Sequence, residues 1–237
     1  LAAPLILAGN DPGMTLRRMA VIFDMDGVLV DTYRAHFQSW NVVAGEEGTE
    51  MSEEQFAATF GRTSREIIAI LWPELGDDAA AIQRFDDRKE EAFRRIIAKD
   101  FPAMPGVERL LAGLASAGIP TAIGSSGPPA NVALVVERLG AKHPFGAVVT
   151  ADDVARGKPD PEVFLLAAER LGVPPARCVV VEDAPPGVQA AKAAGMHCVG
   201  MASTGRTREE LSAADLVVDS LDELGPGVFR GLVDGAG

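Results

Sequence analysis

Four short polar motifs stand out because each lies at or just beyond the end of an apolar run. Asp24-Met25-Asp26-Gly27 follows Ala20-Val21-Ile22-Phe23, and Ser125-Ser126 follows Thr121-Ala122-Ile123-Gly124. Glu182-Asp183 follows Val179-Val180-Val181, and Gly157-Lys158-Pro159 lies in the loop after Ala147-Val148-Val149. Gathered in one place, they would assemble four carboxylates, two hydroxyls and one ammonium. Carboxylates a few Å apart cannot all stay ionised unaided, because like charges raise one another's proton affinity. A divalent cation relieves the repulsion, and an oxygen-only ligand set favours Mg²⁺. A helix starting near Pro128 would add free backbone N–H groups beside Ser125, an anion site. Cation, lysine, hydroxyl and helix N-terminus together describe a pocket for a phosphoryl group.

The elements that must position these groups are legible. The apolar runs above, with Cys198-Val199 and Leu216-Val217-Val218 as later strands, are continuous rather than alternating. That pattern suits strands buried on both faces, hence a mostly parallel sheet with helices on each side. Val132, Val135, Val136 and Leu139 form a one-sided helical stripe, as do Val163, Phe164, Ala167 and Leu171. In such an open sheet ligands bind beyond the carboxyl ends of the strands, where the polar motifs fall.

Residues 33–104 interrupt the alternation with helical periodicity and no strand candidate. His36, Phe37, Trp40, Val43 and Ala44 share a face, Ser52 with Gln55 reads as a capping box, and Ile82, Phe85, Phe93, Ile96 and Ile97 line a longer helix. The reading is an α/β fold: a doubly wound, mostly parallel, Rossmann-like sheet with an inserted α-helical cap domain. Residues 19–32 and 105–237 would form the α/β core domain and 33–104 the cap. The chain would cross between them near Val30–Thr32 and Phe101–Gly106, a natural hinge for a lid. Residues 1–18 read as a tail or a cloning remnant.

The composition is that of an ordinary globular protein: 237 residues, 47% hydrophobic and 24% charged. Lys and Arg number 22 against 34 Asp and Glu, for a formal net charge of −12. That balance argues against nucleic acid and membrane surfaces as partners, and an anionic substrate needs local cations to overcome it. Cys178 and Cys198, the two cysteines, fit no metal spacing and suit reduced core thiols in a cytoplasmic protein. The expected partner is a small phosphorylated substrate, and the expected state a monomer or weak homo-oligomer.

In order and spacing, Asp24-Met25-Asp26-Gly27-Val28-Leu29, Ser125, Lys158 and Glu182-Asp183 resemble the four motifs of the haloacid dehalogenase superfamily. The helical insertion resembles the cap of its β-phosphoglucomutase-like branch, and the likeness spans about residues 19–225. The resemblance implies that Asp24 attacks phosphorus to form an aspartyl-phosphate and that Asp26 serves as general acid and base. It implies Mg²⁺ on the Asp24 carboxylate, the Asp26 carbonyl and Asp183, with Glu182 bound directly or through water. Ser125 and Lys158 would hold the non-bridging oxygens. Dehalogenase members lack the second Asp, so Asp26 argues for phosphoryl transfer.

Thr32, His36, Trp40, Ser64-Arg65-Glu66 and Arg88-Lys89 resemble the β-phosphoglucomutases in particular, where a cap arginine and lysine contact substrate. Arg65 is read as either such a contact or a surface charge. Lys89, at the centre of an apolar stripe, either snorkels at the cap edge or meets the substrate. His36 is either a core histidine or a ligand contact. Ser126 is read as substrate-binding and, by position, as the cap of the following helix, leaving Ser125 free. The runs Asp86-Asp87-Arg88 and Lys89-Glu90-Glu91 are read as solvated surface apart from Lys89.

The mutases follow their motif serine with Ala-Ser-Lys-Asn, whose Ser and Asn touch substrate. This chain has Ser126-Gly127-Pro128-Pro129, and Asn131 lies off register. The expectation is therefore a Mg²⁺-dependent phosphatase, with β-phosphoglucomutase-type transfer as the alternative. Weaker alternatives are a phosphonate hydrolase using Lys89 and a non-catalytic phosphorylatable switch.

Overall fold

Strand β1 (Ala20–Phe23) is buried throughout and lies at the centre of a six-stranded sheet. Its partners are β2 (Thr121–Gly124), β3 (Ala147–Val149), β4 (Cys178–Glu182), β5 (His197–Met201) and β6 (Leu216–Val218), in the order β3-β2-β1-β4-β5-β6. Every pairing is parallel. The computed structural model describes residues 18–60, 62–73, 78–202 and 205–235. The expected tail at 1–18 lies outside these, except for the exposed Arg18.

Alternate residues of each strand face opposite layers, and both layers are apolar, which is why the runs are continuous. Val21, Phe23, Val179, Val181, Val199 and Met201 pack with Leu110, Leu114, Val132, Val135 and Phe229. Those partners come from helices α5 (Val107–Ser116), α6 (Pro129–Gly140) and α9 (Pro226–Asp234). Ala20, Ile22, Cys178, Val180 and Cys198 face Phe164, Ala167, Val188 and Ala191, on α7 (Glu162–Leu171) and α8 (Pro185–Ala193). Both thiols are free and buried in this second layer, and burial pushes Cys178 up to about 12. The doubly wound α/β sheet is the one its strand patterns imply. No helix among the described residues is long and apolar enough to cross a membrane.

Between β1 and α5 the described chain is helical: α1 (Tyr33–Glu46), α2 (Glu53–Thr59), α3 (Ser64–Leu71) and α4 (Ala79–Lys99). Capping boxes start α2 and α3, on Ser52 with Gln55 and on Thr63 with Glu66. These helices pack around their own cluster of Trp40, Val43, Phe56, Ile68, Trp72 and Phe85, with the two indoles stacked at 5.9 Å. The segments leading into and out of the helices run side by side. Val30 bridges Ala103 in antiparallel fashion, Asp31 N–H donates to the Pro102 carbonyl at 2.8 Å, and Met104 N–H donates to the Leu29 carbonyl at 3.0 Å.

Trp40 is 2% exposed and fills the middle of that cluster. Truncating a large buried aromatic removes its transfer energy and leaves a void, so Trp40→Ala lowers stability by about 3–5 kcal/mol in urea unfolding.

Candidate active site

Three strand ends and the loop that follows β3 converge at the carboxyl edge of the sheet, beside the β1/β4 junction where the strand order reverses. Asp24 continues β1, its N–H donating to the Val181 carbonyl of β4 at 2.9 Å. Glu182 ends β4 and Asp183 follows it. Asp24, Glu182 and Asp183 are 7%, 1% and 7% exposed, and each offers a carboxylate oxygen, all within 4.8 Å of one another.

Lys158 enters this cluster from the loop before α7. Its ammonium donates to Asp24 Oδ1 at 2.5 Å and to Glu182 Oε1 at 2.7 Å, and sits 4.8 Å from the centre of the Phe164 ring. Glu182 Oε2 accepts from the N–H of Ala184, the residue before α8. Room for Glu182 comes from Gly187 on α8, where a Cβ would lie 1.8 Å from Glu182 Oε1. Gly124 plays a similar part under the lysine: a Cβ there would approach the Phe164 ring to 3.0 Å.

The electrostatics follow from the count. Burial, and then the neighbouring Glu182 and Asp26, raise Asp24 to about 7 despite the opposing Lys158. Burial with Glu182 and Asp24 beside it pushes Asp183 well above the usual carboxylate range. Burial opposes the charge on Lys158, but Asp24 and Glu182 outweigh it and hold the ammonium protonated. Lys158, on a side chain only 8% exposed, bonds two of three clustered buried carboxylates, and Arg206 acts on the third, Asp183. A site built of hard oxygen donors with surplus negative charge fits a divalent cation of the Mg²⁺ or Ca²⁺ kind.

A second cluster stands opposite. Asp26 is half-buried, and its Oδ1, out of contact with solvent, has no hydrogen-bond partner among the described residues. His36 Nε2 on α1 lies 3.5 Å from that oxygen, an ion-pair distance. Burial alone would raise Asp26, but His36 and the Thr32 hydroxyl hold it below the usual range. Thr32 is buried just ahead of α1. His36 stacks on Phe93 at 4.2 Å and faces the Lys89 ammonium through Nδ1 at 3.0 Å. Burial and then Lys89 lower its proton affinity. Since an ammonium only donates, Nδ1 accepts and the ring proton sits on Nε2, toward Asp26.

The remaining residues singled out in the sequence divide. Ser125 is 1% exposed beside the cluster, and its Oγ accepts from Gly127 N–H at 2.9 Å. Ser126 is exposed and does not cap α6, whose N-cap is Pro128 without a side-chain bond; it lines a 210 Å³ recess with Ser125, Ala151 and Gly157. A Cβ on Gly127 would come within 3.2 Å of Ser125 Oγ and 3.9 Å of Asp26 Oδ2, so this position overlooks the site. Arg65 is exposed on α3, with no hydrogen bond or ion pair to the cluster among the described residues. Arg88 pairs with Glu46 and Glu47 at the surface.

Glu90 departs from its reading as solvated surface. It is half-buried, with Oε1 on Lys89 at 2.7 Å and Oε2 on Asn131 Nδ2 at 2.6 Å. The signal for Asn131 was present: it falls one helical turn before Val135 on the apolar face of α6. For Glu90 there was none, because its partner comes from a helix 41 residues away in the chain.

The family model described as haloacid dehalogenase-like hydrolase matches residues 19–195. A phosphorylated carbohydrates phosphatase of Thermotoga maritima is 37% identical over 178 residues, covering 75% of this chain and 82% of the relative. The β-phosphoglucomutase of Bacillus subtilis is 34% identical over 211 residues, covering 86% and 91%. The crystal structure of a family IA HAD hydrolase from Entamoeba histolytica superposes with a TM-score of 0.83 at 26% identity, covering 91% of this chain and 99% of the other.

Gly187→Ala forces Glu182 or α8 to move while leaving Asp24, Glu182 and Asp183 in the sequence. Changes to groups that orient metal ligands cost about 10–100-fold in affinity, and a loss in that range is expected for Mg²⁺ binding measured by calorimetry.

Proposed function

The chain belongs to the haloacid dehalogenase-like hydrolases and is an enzyme, and from there we propose that it is a Mg²⁺-dependent phosphatase of a small phosphorylated metabolite, a sugar phosphate first of all. Support comes from the cluster itself, where Asp24, Lys158, Glu182 and Asp183 meet at one sheet edge and Asp26 faces them with its own histidine. Residues 33–104 serve in this reading as a cap over the core formed by 19–32 and 105–237.

The carboxylates of Asp24 and Asp183, the Asp26 carbonyl and, directly or through water, Glu182 would hold Mg²⁺, which supplies Lewis-acid neutralisation of the phosphoryl oxygens and of the carboxylates around them. Asp24 attacks phosphorus and forms an aspartyl-phosphate, dividing a difficult displacement into two easier ones. Asp26 gives its proton to the departing alkoxide, then takes one from the water that hydrolyses the intermediate. A phosphate dianion arriving beside Asp26 raises its proton affinity, so a group held low in the resting enzyme becomes an acid when needed. Lys158 and the Ser125 hydroxyl hold the non-bridging oxygens as charge moves. Thr32, His36 and Lys89 stand on the cap side of Asp26, where the leaving group would lie. Ser126 borders the recess beside Ser125, and Arg65 would reach substrate only if α3 moves toward the core.

The observation that carries the choice of water over a sugar hydroxyl as acceptor is the loop after β2. A mutase must hold a bisphosphate while it turns over in the site. Gly127 overlooks the site without a side chain, Pro129 has no donor, and the nearby amide of Asn131 is spent on Glu90 and Arg94. Little remains there to retain a second phosphate. The mutase reading is favoured instead by the 34% identity to the B. subtilis β-phosphoglucomutase.

Incubation with Mg²⁺, β-glucose 1-phosphate and a trace of the 1,6-bisphosphate separates the two. Inorganic phosphate is the expected product; glucose 6-phosphate accumulating without it would establish the mutase. A panel of phosphorylated metabolites, scored by phosphate release, then finds the substrate. Asp24→Asn abolishes turnover with the melting temperature preserved, and turnover that survives would mean another nucleophile. Asp26→Ala slows alkyl phosphates by about 10²–10⁴-fold, the usual worth of a general acid, and aryl phosphates far less, because phenolates leave without a proton. Chelator removes activity and Mg²⁺ restores it.

A further inference from the structure

Helix α4 lies along helix α6 through residues spaced at helical intervals on each. Asn131, 2% exposed, donates through Nδ2 to Glu90 Oε2 at 2.6 Å and accepts at Oδ1 from Arg94 Nη1 at 3.0 Å. One turn on, Leu134, like Ile96, packs against the cluster of Ala35, Phe93 and Ile97. Further along, Arg138 donates to the Ala98 carbonyl at 2.8 Å. From Asn131 a line of side chains runs toward the site: Glu90 Oε1 takes the Lys89 ammonium at 2.7 Å, Lys89 meets His36 Nδ1 at 3.0 Å, and His36 Nε2 faces Asp26 Oδ1 at 3.5 Å.

The pairing of Lys89 with Glu90 is not a product of local geometry. Adjacent residues on a helix point about 100° apart and do not face one another. Glu90 reaches back over Lys89 because its other oxygen is held from outside by the Asn131 amide, itself steadied by Arg94. The side chain of Lys89 is only 4% exposed, between the rings of Trp40 and Phe93. In such surroundings an ammonium needs its anion, and the position of that anion decides where the remaining N–H groups point.

We propose that Asn131 and Glu90 are positioning residues for the Asp26 site: they fix Lys89 on His36 Nδ1 and so keep the imidazole in the tautomer whose Nε2–H faces Asp26. The amide on α6 thereby couples the loop that carries Ser125 to the cap-side surroundings of Asp26. Without Asn131, Glu90 relaxes toward solvent, Lys89 follows it, and the His36 ring loses the contact that sets its proton. The tautomer claim stands on geometry alone, and its effect on catalysis rests on the general-acid reading of Asp26.

Long-range ¹H–¹⁵N NMR of the His36 ring at about pH 8, above the ordinary imidazole pKa, reads the tautomer directly. The wild type gives the Nε2–H form. Asn131→Ala shifts it to a mixture, whereas Arg138→Ala, which removes another α4–α6 contact off the line, leaves it alone. Glu90→Gln keeps the shape of the side chain but removes the anion that Lys89 needs, and it too loses the Nε2–H form. An unchanged spectrum in Asn131→Ala, or an equal change in Arg138→Ala, would overturn the proposal. Kinetics separate this from the catalytic reading. Asn131→Ala lowers kcat on glucose 6-phosphate by about 10-fold or more while kcat on p-nitrophenyl phosphate and both KM values stay within about twofold, a fraction of the full general-acid effect. If Asp26→Ala shows no such leaving-group selectivity, the acid role falls while the tautomer result still decides the positioning.

Discussion

Three carboxylates and one ammonium share a dry corner at the end of the sheet, and the rest of the molecule is arranged around that imbalance. Each ion taken out of water costs several kcal/mol, and attraction repays this only where the geometry is good and the remaining lone pairs are satisfied. Lys158 satisfies Asp24 and Glu182 at once, and the start of α8 satisfies the other oxygen of Glu182. What is left is surplus negative charge, visible in the raised proton affinities of Asp24 and Asp183. A site of this kind suits a bound cation. A divalent cation would cancel that surplus and let a phosphate approach, in a chain whose net charge of −12 would otherwise repel it.

The small residues near the site follow from the same requirement. Gly187 gives way so that Glu182 can stand beside α8, and Gly124 gives way so that Phe164 can lie beneath Lys158. Neither position calls for an unusual backbone. Both are close approaches, where a methyl group would occupy the space of a charged or aromatic partner.

Two lysines hold their ammonium groups away from water, and the molecule uses them differently. Lys158 neutralises carboxylates of the sheet edge. Lys89, on the inserted helices, is turned toward an uncharged imidazole and a glutamate, so its charge acts on Asp26 through His36 rather than by contact. Burial of His36 against Phe93 lowers the proton affinity of the ring beside the ammonium, which allows the two to share a proton donor–acceptor pair instead of repelling.

The sheet and the lower half of the site were legible from residue order alone. Strands buried on both faces have no polar positions to spare, so their ends are marked by the first Asp, Ser or Glu, and Asp24, Ser125, Glu182 and Asp183 stand out for that reason. Ser52 with Gln55 was readable as a cap because the bond closes within one turn. The roles of Glu90, Asn131 and Arg94 emerge only in three dimensions, as do the facts that Ser126 caps nothing and that Arg65 and Arg88 face outward. Most of these side chains belong to polar stretches of amphipathic helices, where periodicity states which face is apolar but not which neighbour arrives at its edge. A hydrogen bond between residues 41 apart, on helices that meet only once the chain has folded, leaves no mark on the Glu90 segment, and a polar Asn131 on an apolar face does not name its partner.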